Sequence, residues 1–395
     1  MANDLLREKV AQACGILDEL DIDAWMLVGR ETGTLCDPSI PIVVGGGATW
    51  PSAFILTRTG EAHAIVGPAD VAPHEANGVY TVHGYVQGWG DPLRAVLAHL
   101  DPRTIALNYS EDNDKADGLT HGMWLNLHRT LAGTPYPARF VSGEPIATRV
   151  RGRKSPEERR RVRHAVAETL RLLDEMIAWA QVGTTEREIQ SFLHRRCDEL
   201  GYGLSWERGH NPTVTAGDQS PVGHVEPTAN AIERGKLLCL DFGVTIDGYS
   251  ADIHRTWYFL KEDETDAPAL VRREFDTVAR AIDAAFRKVR PGVIGWEVDA
   301  AAREFFAERG KTWDYALGHQ LGHVAHDGGG GFYPRWERYG DKPYERIEMG
   351  QCFVLDIGIF IPGYGLLIVE DDLEVTETGA AWLAPPQTEL LLVHR

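Results

Sequence analysis

Apolar residues recur at helical spacing through MANDLLREKVAQACGILDEL, so the chain is expected to open with an amphipathic helix. Short apolar runs follow at DAWMLVG (23–29), SAFILTRTGEAHAIVG (52–67) and TIALNYS (104–110). They read as buried strands, the second being a hairpin that turns at Thr59-Gly60. Residues 1–151 are therefore predicted to form an α/β module. Its histidines (His63, His74, His83, His99, His121, His128) keep no ligand-like spacing and are expected to be structural or surface groups. The pattern changes at RVRGRKSPEERRRVRHAVAETLRLLDEM. There Ser155 can cap a long helix, Pro156 can begin it and Glu158 can close a capping box. A second domain is predicted over 152–395.

That second domain repeats itself. GTTEREIQSFLHRRCDELG (183–201) matches GVIGWEVDAAAREFFAERG (292–310), with Glu188 and Glu297 at the same offset, and each follows an amphipathic helix. LDFGVTIDGY (240–249) matches LDIGIFIPGY (355–364) without a gap, and both are β-rich with a turn near Gly-Tyr. Two related α+β halves facing each other leave a cleft between them.

The hairpins carry the chemistry. If Asp247-Gly248 is a two-residue turn, Gly243 pairs with Asp252 and Asp241 is its diagonal neighbour, about 7–8 Å away at Cβ. Two carboxylates emerging from an apolar sheet repel each other unless a cation or a proton intervenes. In the second hairpin the separation of Asp356 and Glu370 is even, so a common face needs an odd loop or a bulge, which Gly365 could supply. Asp371 and Asp372 compete with Glu370, which is preferred because it directly follows an apolar run. Between the hairpins, YALGHQLGHVAHDGGGGFYP brings His319, His323 and His326 before four glycines and is read as a loop. Imidazole and carboxylates together suit a pair of divalent ions. Trp206, Tyr333 and Trp336 are candidates to line an apolar pocket.

Length and charge narrow the partners. At 395 residues the chain exceeds one usual core, and a net charge of −18 argues against nucleic acid or an anionic membrane. The five cysteines (Cys14, Cys36, Cys197, Cys239, Cys352) form no CxxC pair, so a disulfide framework is not expected and a reducing cytoplasm is. The first residues lack a signal-peptide layout, and no apolar run approaches membrane-spanning length.

With these motifs in hand, the sequence resembles the M24 group of creatinases, prolidases and methionine aminopeptidases, over all of 152–395 and more loosely before it. The family pattern asks for Asp, Asp eleven residues later, His, Glu and Glu. Asp241 and Asp252 in DFGVTIDGYSADIHRTW have that spacing, and His319 has His326 seven residues beyond it. Asp356 stands where the family has its first Glu, and Glu370 in VEDDLEVTETG matches the second. His224 in SPVGHVEP fits a substrate histidine.

The resemblance implies an α+β pita-bread domain with an internal pseudo-two-fold, preceded by a smaller creatinase-type N-terminal α/β domain. It also implies two divalent ions held by Asp241, Asp252, His319, Asp356 and Glu370, with manganese first and zinc or cobalt next. His224 and His326 would contact the scissile carbonyl, and Asp356 would help handle the proton. The implied enzyme is a cytoplasmic, homodimeric Xaa-Pro dipeptidase or aminopeptidase acting on short peptides. Two departures bear on proline: Ile368 stands where proline-specific relatives usually have Arg, and Tyr315 where they tend to have His. They keep open a relative acting on a non-peptide small molecule, and more remotely a metal-free binding module.

Overall fold

The computed structural model describes residues 2–223 and 225–394. The chain divides into two compact units, Met1–Arg151 and Gly152–Arg395.

In the first unit, six strands form one mixed sheet: β1 (Ala24–Gly29), β2 (Ser52–Thr57), β3 (Ala62–Val66), β4 (Thr81–Gly84), β5 (Ile105–Leu107) and β6 (Phe140–Ser142), in the order β4-β3-β2-β1-β5-β6. The central strands are apolar throughout because both faces are covered. Trp25, Leu27 and Phe54 pack with Leu6, Val10 and Ile16 of the opening helix Ala2–Glu19. Met26, Val28 and Ile55 pack with Leu93, Leu97 and Leu127 on the other side. The expected hairpin is present as the antiparallel pair β2–β3.

The second unit contains two sheets. The small one joins β7 (Gly203–Leu204), β10 (Val244–Ile246) and β11 (Tyr249–Ser250). The large one has nine strands: β8 (Thr213–Ala216), β9 (Leu237–Phe242), β12 (Ile253–Phe259), β13 (Gly318–Gln320), β14 (Asp327–Phe332), β15 (Cys352–Ile361), β16 (Gly365–Val375), β17 (Ala380–Trp382) and β18 (Leu391–Val393). Its main path runs β14-β13-β15-β16-β12-β9-β8. The helix Pro156–Trp179 begins with the predicted capping box: the Glu158 N–H donates to Ser155 Oγ (3.3 Å), and the Ser155 N–H to Glu158 Oε2 (2.7 Å). The repeated helix segments are Glu186–Leu200 and Gly295–Ala307.

Strand parity decides which face is chemical. Leu355, Ile357, Leu367 and Val369 join the core formed with Val271, Phe275, Val278 and Ile282 of the helix Ala269–Phe286. Asp356, between Leu355 and Ile357, and Glu370, next after Val369, must face the other way. A one-residue slip would bury both acids in that core, so the register is strongly specified.

The first hairpin turns at Asp247 (φ 51°) and Gly248 (φ 78°), with Ile246 opposite Tyr249. Below the turn Phe242 faces Ile253. Gly243 marks a close approach, since a Cβ there would lie 1.9 Å from the Ala251 carbonyl oxygen. The second hairpin closes with Ile361 opposite Gly365, leaving Pro362, Gly363 and Tyr364 as an odd loop.

The expected loop after His319 is corrected: its glycines form β14, and β13 carries His319 opposite Gly331. Bare backbone is what lets strands and helix meet here. A Cβ at Gly318 would lie 2.0 Å from the Val354 carbonyl oxygen, and one at Gly295 2.1 Å from that of Gly331.

Candidate metal centre

Four neighbouring strands place four polar side chains in one row across the large sheet. Asp356 on β15 faces Glu370 on β16, Glu370 faces His254 on β12, and His254 faces Asp241 on β9. Residues directly opposite one another share a face, so all four project together. Asp252 precedes His254 by two positions and shares that face, with its own side chain buried. His319 approaches from β13, its Nε2 lying 3.8 Å from Asp252 Oδ2. Five of the predicted residues, Asp241, Asp252, His319, Asp356 and Glu370, thus line one cavity of about 1390 Å³.

His326 lines the same cavity, its ring 4.0 Å from that of His319. His224 lies outside the described residues. Trp206, Tyr333, Tyr315 and Ile368 also line the wall. Trp336 does not: it borders a separate recess of about 520 Å³ with Trp296, Arg303 and Arg335. Its indole is held there under the Arg303 and Arg338 guanidinium groups. His323 is structural in its contacts, packing its ring at a tilt against Tyr249 and hydrogen-bonding the Gly248 carbonyl (3.0 Å).

The acids that rival Glu370 are occupied otherwise. Asp371 accepts from Arg255 (2.6 Å) and from the Gln387 N–H (3.0 Å), both buried, on the opposite face of β16. Asp372 accepts the Asp252 N–H (3.2 Å) and so braces the strand entry.

His254 had not been singled out from the sequence. Its Nδ1 lies 2.5 Å from Glu370 Oε2, and its Nε2 3.8 Å from Asp241 Oδ2. The signal was present in Asp252-Ile253-His254, since positions two apart on a strand share a face.

Burial dominates the electrostatics. It pushes Asp252 up to about 7 and Asp356 up to about 6, and it raises Asp241 and Glu370 well above the usual carboxylate range. Neighbouring carboxylates push Asp241 and Glu370 further the same way, while His254 pulls Asp241 down. Burial, then the neighbouring His326, depress His319 to about 3, leaving a neutral imidazole with a lone pair. Such a group of acids is fully ionised at neutral pH only if a cation lies among them.

The side chains present fit divalent ions. Asp241 Oδ1 and Asp356 Oδ1 are buried without a hydrogen-bond partner. Among the described residues two sets of donors gather within 4.8 Å: Asp241, His254 and Glu370, and Asp252, His319 and Glu370. Glu370 is common to both. Asp356 belongs to neither set, although it faces Glu370 across the ladder.

Known proteins place this geometry in a family. The chain is 29% identical over 239 residues to the Xaa-Pro dipeptidase of Lactobacillus helveticus, covering 58% of this chain and 59% of that enzyme, less than two thirds of its length. The solved structure of the Xaa-Pro dipeptidase from Bacillus anthracis superposes with a TM-score of 0.75 at 20% identity, covering 98% of this chain and 100% of that one. The X-Pro aminopeptidase from Thermotoga maritima gives 0.73 at 20% identity, covering 97% and 99%. These likenesses show the fold, the pita-bread fold that the resemblance implied. The profile of metallopeptidase family M24 matches residues 160–377, a span that holds every donor in the row and both hairpins. More than half of the sequence carries that match, and the chain belongs to metallopeptidase family M24.

Proposed function

We propose that the chain is a dinuclear metallopeptidase that hydrolyses short peptides at the bond preceding proline, as an Xaa-Pro dipeptidase or aminopeptidase. The observation that carries this reading is the row of Asp356, Glu370, His254 and Asp241, half-buried apart from the buried Glu370, opening into a cavity of about 1390 Å³. Asp241, Asp252, His319, Asp356 and Glu370 would hold two divalent ions. Such ions supply a water acidified toward neutrality and a polarised carbonyl. Manganese is the first choice for a donor set rich in carboxylates, followed by zinc and cobalt.

The protein's own groups divide the remaining work. Asp356 would accept a proton and pass it to the leaving amine, a role that its Oδ1, buried without a hydrogen-bond partner, supports. His326 would donate to the carbonyl oxygen where charge develops, a role supported by its position beside His319 at the cavity wall. His224 is proposed for the same duty on the strength of its sequence position. Trp206, Tyr333 and Ile368 offer apolar surface for a pyrrolidine ring. Four of the five cysteines are buried and all are free, in keeping with a reducing cytoplasm, and no described helix is long and apolar enough to cross a membrane. A homodimer is proposed from the family resemblance and is checked by sedimentation.

A second reading, a same-fold enzyme acting on a non-peptide small molecule, rests on Ile368. This residue faces Gly358 across the ladder and lines the cavity, an apolar side chain where proline-specific relatives usually have Arg. One panel separates the two: manganese-loaded protein with Xaa-Pro dipeptides, longer Xaa-Pro peptides and Xaa-Ala controls. Cleavage confined to Xaa-Pro bonds is the expected result. No turnover of any Xaa-Pro peptide, with metal bound, would transfer the reading to a non-peptide substrate.

A further inference from the structure

We propose that His254 is a direct ligand of the ion pair, a sixth protein donor that gives each ion its own imidazole. The inference rests on the dinuclear reading above and deepens it.

Three independent observations lead to His254. The first is its place in the row. It stands between Glu370 on β16 and Asp241 on β9, directly opposite both. Its ring nitrogens face carboxylates on either side, Nδ1 at 2.5 Å from Glu370 Oε2 and Nε2 at 3.8 Å from Asp241 Oδ2. In the neutral form that ligation requires, the His254 ring has one N–H and one lone pair. The N–H can donate to one of these carboxylates, but the lone pair then meets the other, and two acceptors repel. A cation between them turns that repulsion into two bonds. Donor atoms sharing one ion at about 2.0–2.2 Å each stand roughly 3 Å apart, so small side-chain movements suffice.

The second is the internal repeat. Leu240 and Asp241 correspond to Leu355 and Asp356. In the first hairpin Asp241 faces His254 and Leu240 faces Arg255; in the second, Asp356 faces Glu370 and Leu355 faces Asp371. His254 therefore occupies in one half the backbone position that Glu370 occupies in the other.

The third is the partition of donors. Asp241, His254 and Glu370 form one compact set and Asp252, His319 and Glu370 the other. Each has one Asp, one His and the common Glu370. Without His254 the first set would have no nitrogen donor. An imidazole at each ion also narrows the preference for manganese over cobalt or zinc, which bind imidazole more strongly.

A competing role is open to His254: donating Nδ1–H to Glu370 and orienting it, without touching metal. His254→Gln separates the two, because its amide can still donate but supplies no imidazole. The metal-free protein is reconstituted with Co²⁺ and its hyperfine-shifted proton NMR spectrum recorded in H₂O and D₂O. Direct ligation predicts two exchangeable imidazole N–H signals in the wild type, from His254 and His319, and one in His254→Gln. Calorimetric titration of the variant should show Co²⁺ affinity falling by about 100-fold or more at one of two sites, with a smaller fall for Mn²⁺. A single shifted N–H in the wild type overturns the proposal even if the variant fails to fold. Spectra that keep the same signals in both proteins overturn it in favour of orientation. Wild-type protein that takes up no Co²⁺ at all refutes the dinuclear reading itself, a result distinct from either.

Discussion

The two hairpins of the second unit share a backbone plan and differ in what they do with it. In β15–β16 the ladder runs unbroken from Cys352 opposite Glu374 to Ile361 opposite Gly365. In the first hairpin β9 leaves the large sheet after Phe242, the chain forms the small sheet through β10 and β11, and β12 then re-enters at Ile253. The break at Gly243 gives the first hairpin a strand entry, and Asp252 stands in it. Its counterpart in the unbroken second hairpin is Ile368, part of the cavity wall. One half thus offers Asp241, Asp252 and His254, the other Asp356 and Glu370. A duplicated frame can diverge at single positions without losing its register, because the buried face of each strand fixes that register independently of the chemical face.

Removing the donor common to both sets should have the largest effect. Glu370→Gln is expected to lower kcat/KM by more than ~10³-fold, about 4 kcal/mol of transition-state stabilisation, with secondary structure retained by circular dichroism. Turnover near the wild-type level would break the assignment of Glu370 as the shared group. The pair Asp241→Ala and Asp356→Ala tests the halves against each other. Asp241 belongs to a compact donor set and Asp356 to neither. Asp241→Ala should therefore cost one bound ion by elemental analysis, while Asp356→Ala should weaken metal by only about 10–100-fold. Equal losses would mean that the two halves ligate symmetrically.

pH should separate the metal-free from the loaded protein. Burial holds Asp252 at about 7 and Asp356 at about 6. A carboxyl raised on folding stabilises the fold below its unfolded value, about 4, and that contribution is lost as pH rises through the folded value. The metal-free protein should therefore lose several degrees of Tm between pH 5.5 and 8, while the loaded protein should change much less, as the ions replace the protons. Equal slopes by calorimetry would show that the acids do not share a cation. The smallest effect is expected for Asp356→Glu, which adds one methylene where the cavity has room; kcat/KM should move by less than about tenfold. A larger loss would show that the shorter side chain is required.

Much of this was legible in the sequence wherever a local rule governs. The Ser155–Glu158 capping box, the Asp247-Gly248 turn and the odd loop at 362–364 follow from residue type and parity. The strand formed by the glycine run did not, because β14 exists through close approach to other backbones rather than through its own propensity. His254 was passed over for a related reason. Its parity with Asp252 put it on the face of the acids, but its neighbour Glu370 is 116 residues away, and no local pattern encodes the β12–β16 pairing that sets the two together. Trp336 was misplaced because an aromatic residue near a cavity in sequence carries no direction; arginines claim its faces instead.

A two-ion centre built on this row of side chains must hold its metal. Elemental analysis of protein stripped of metal, reloaded with manganese and dialysed tests it most directly. The account predicts two ions per chain in the wild type and at most one in Glu370→Gln. A wild-type protein that retains no stoichiometric ion would contradict it.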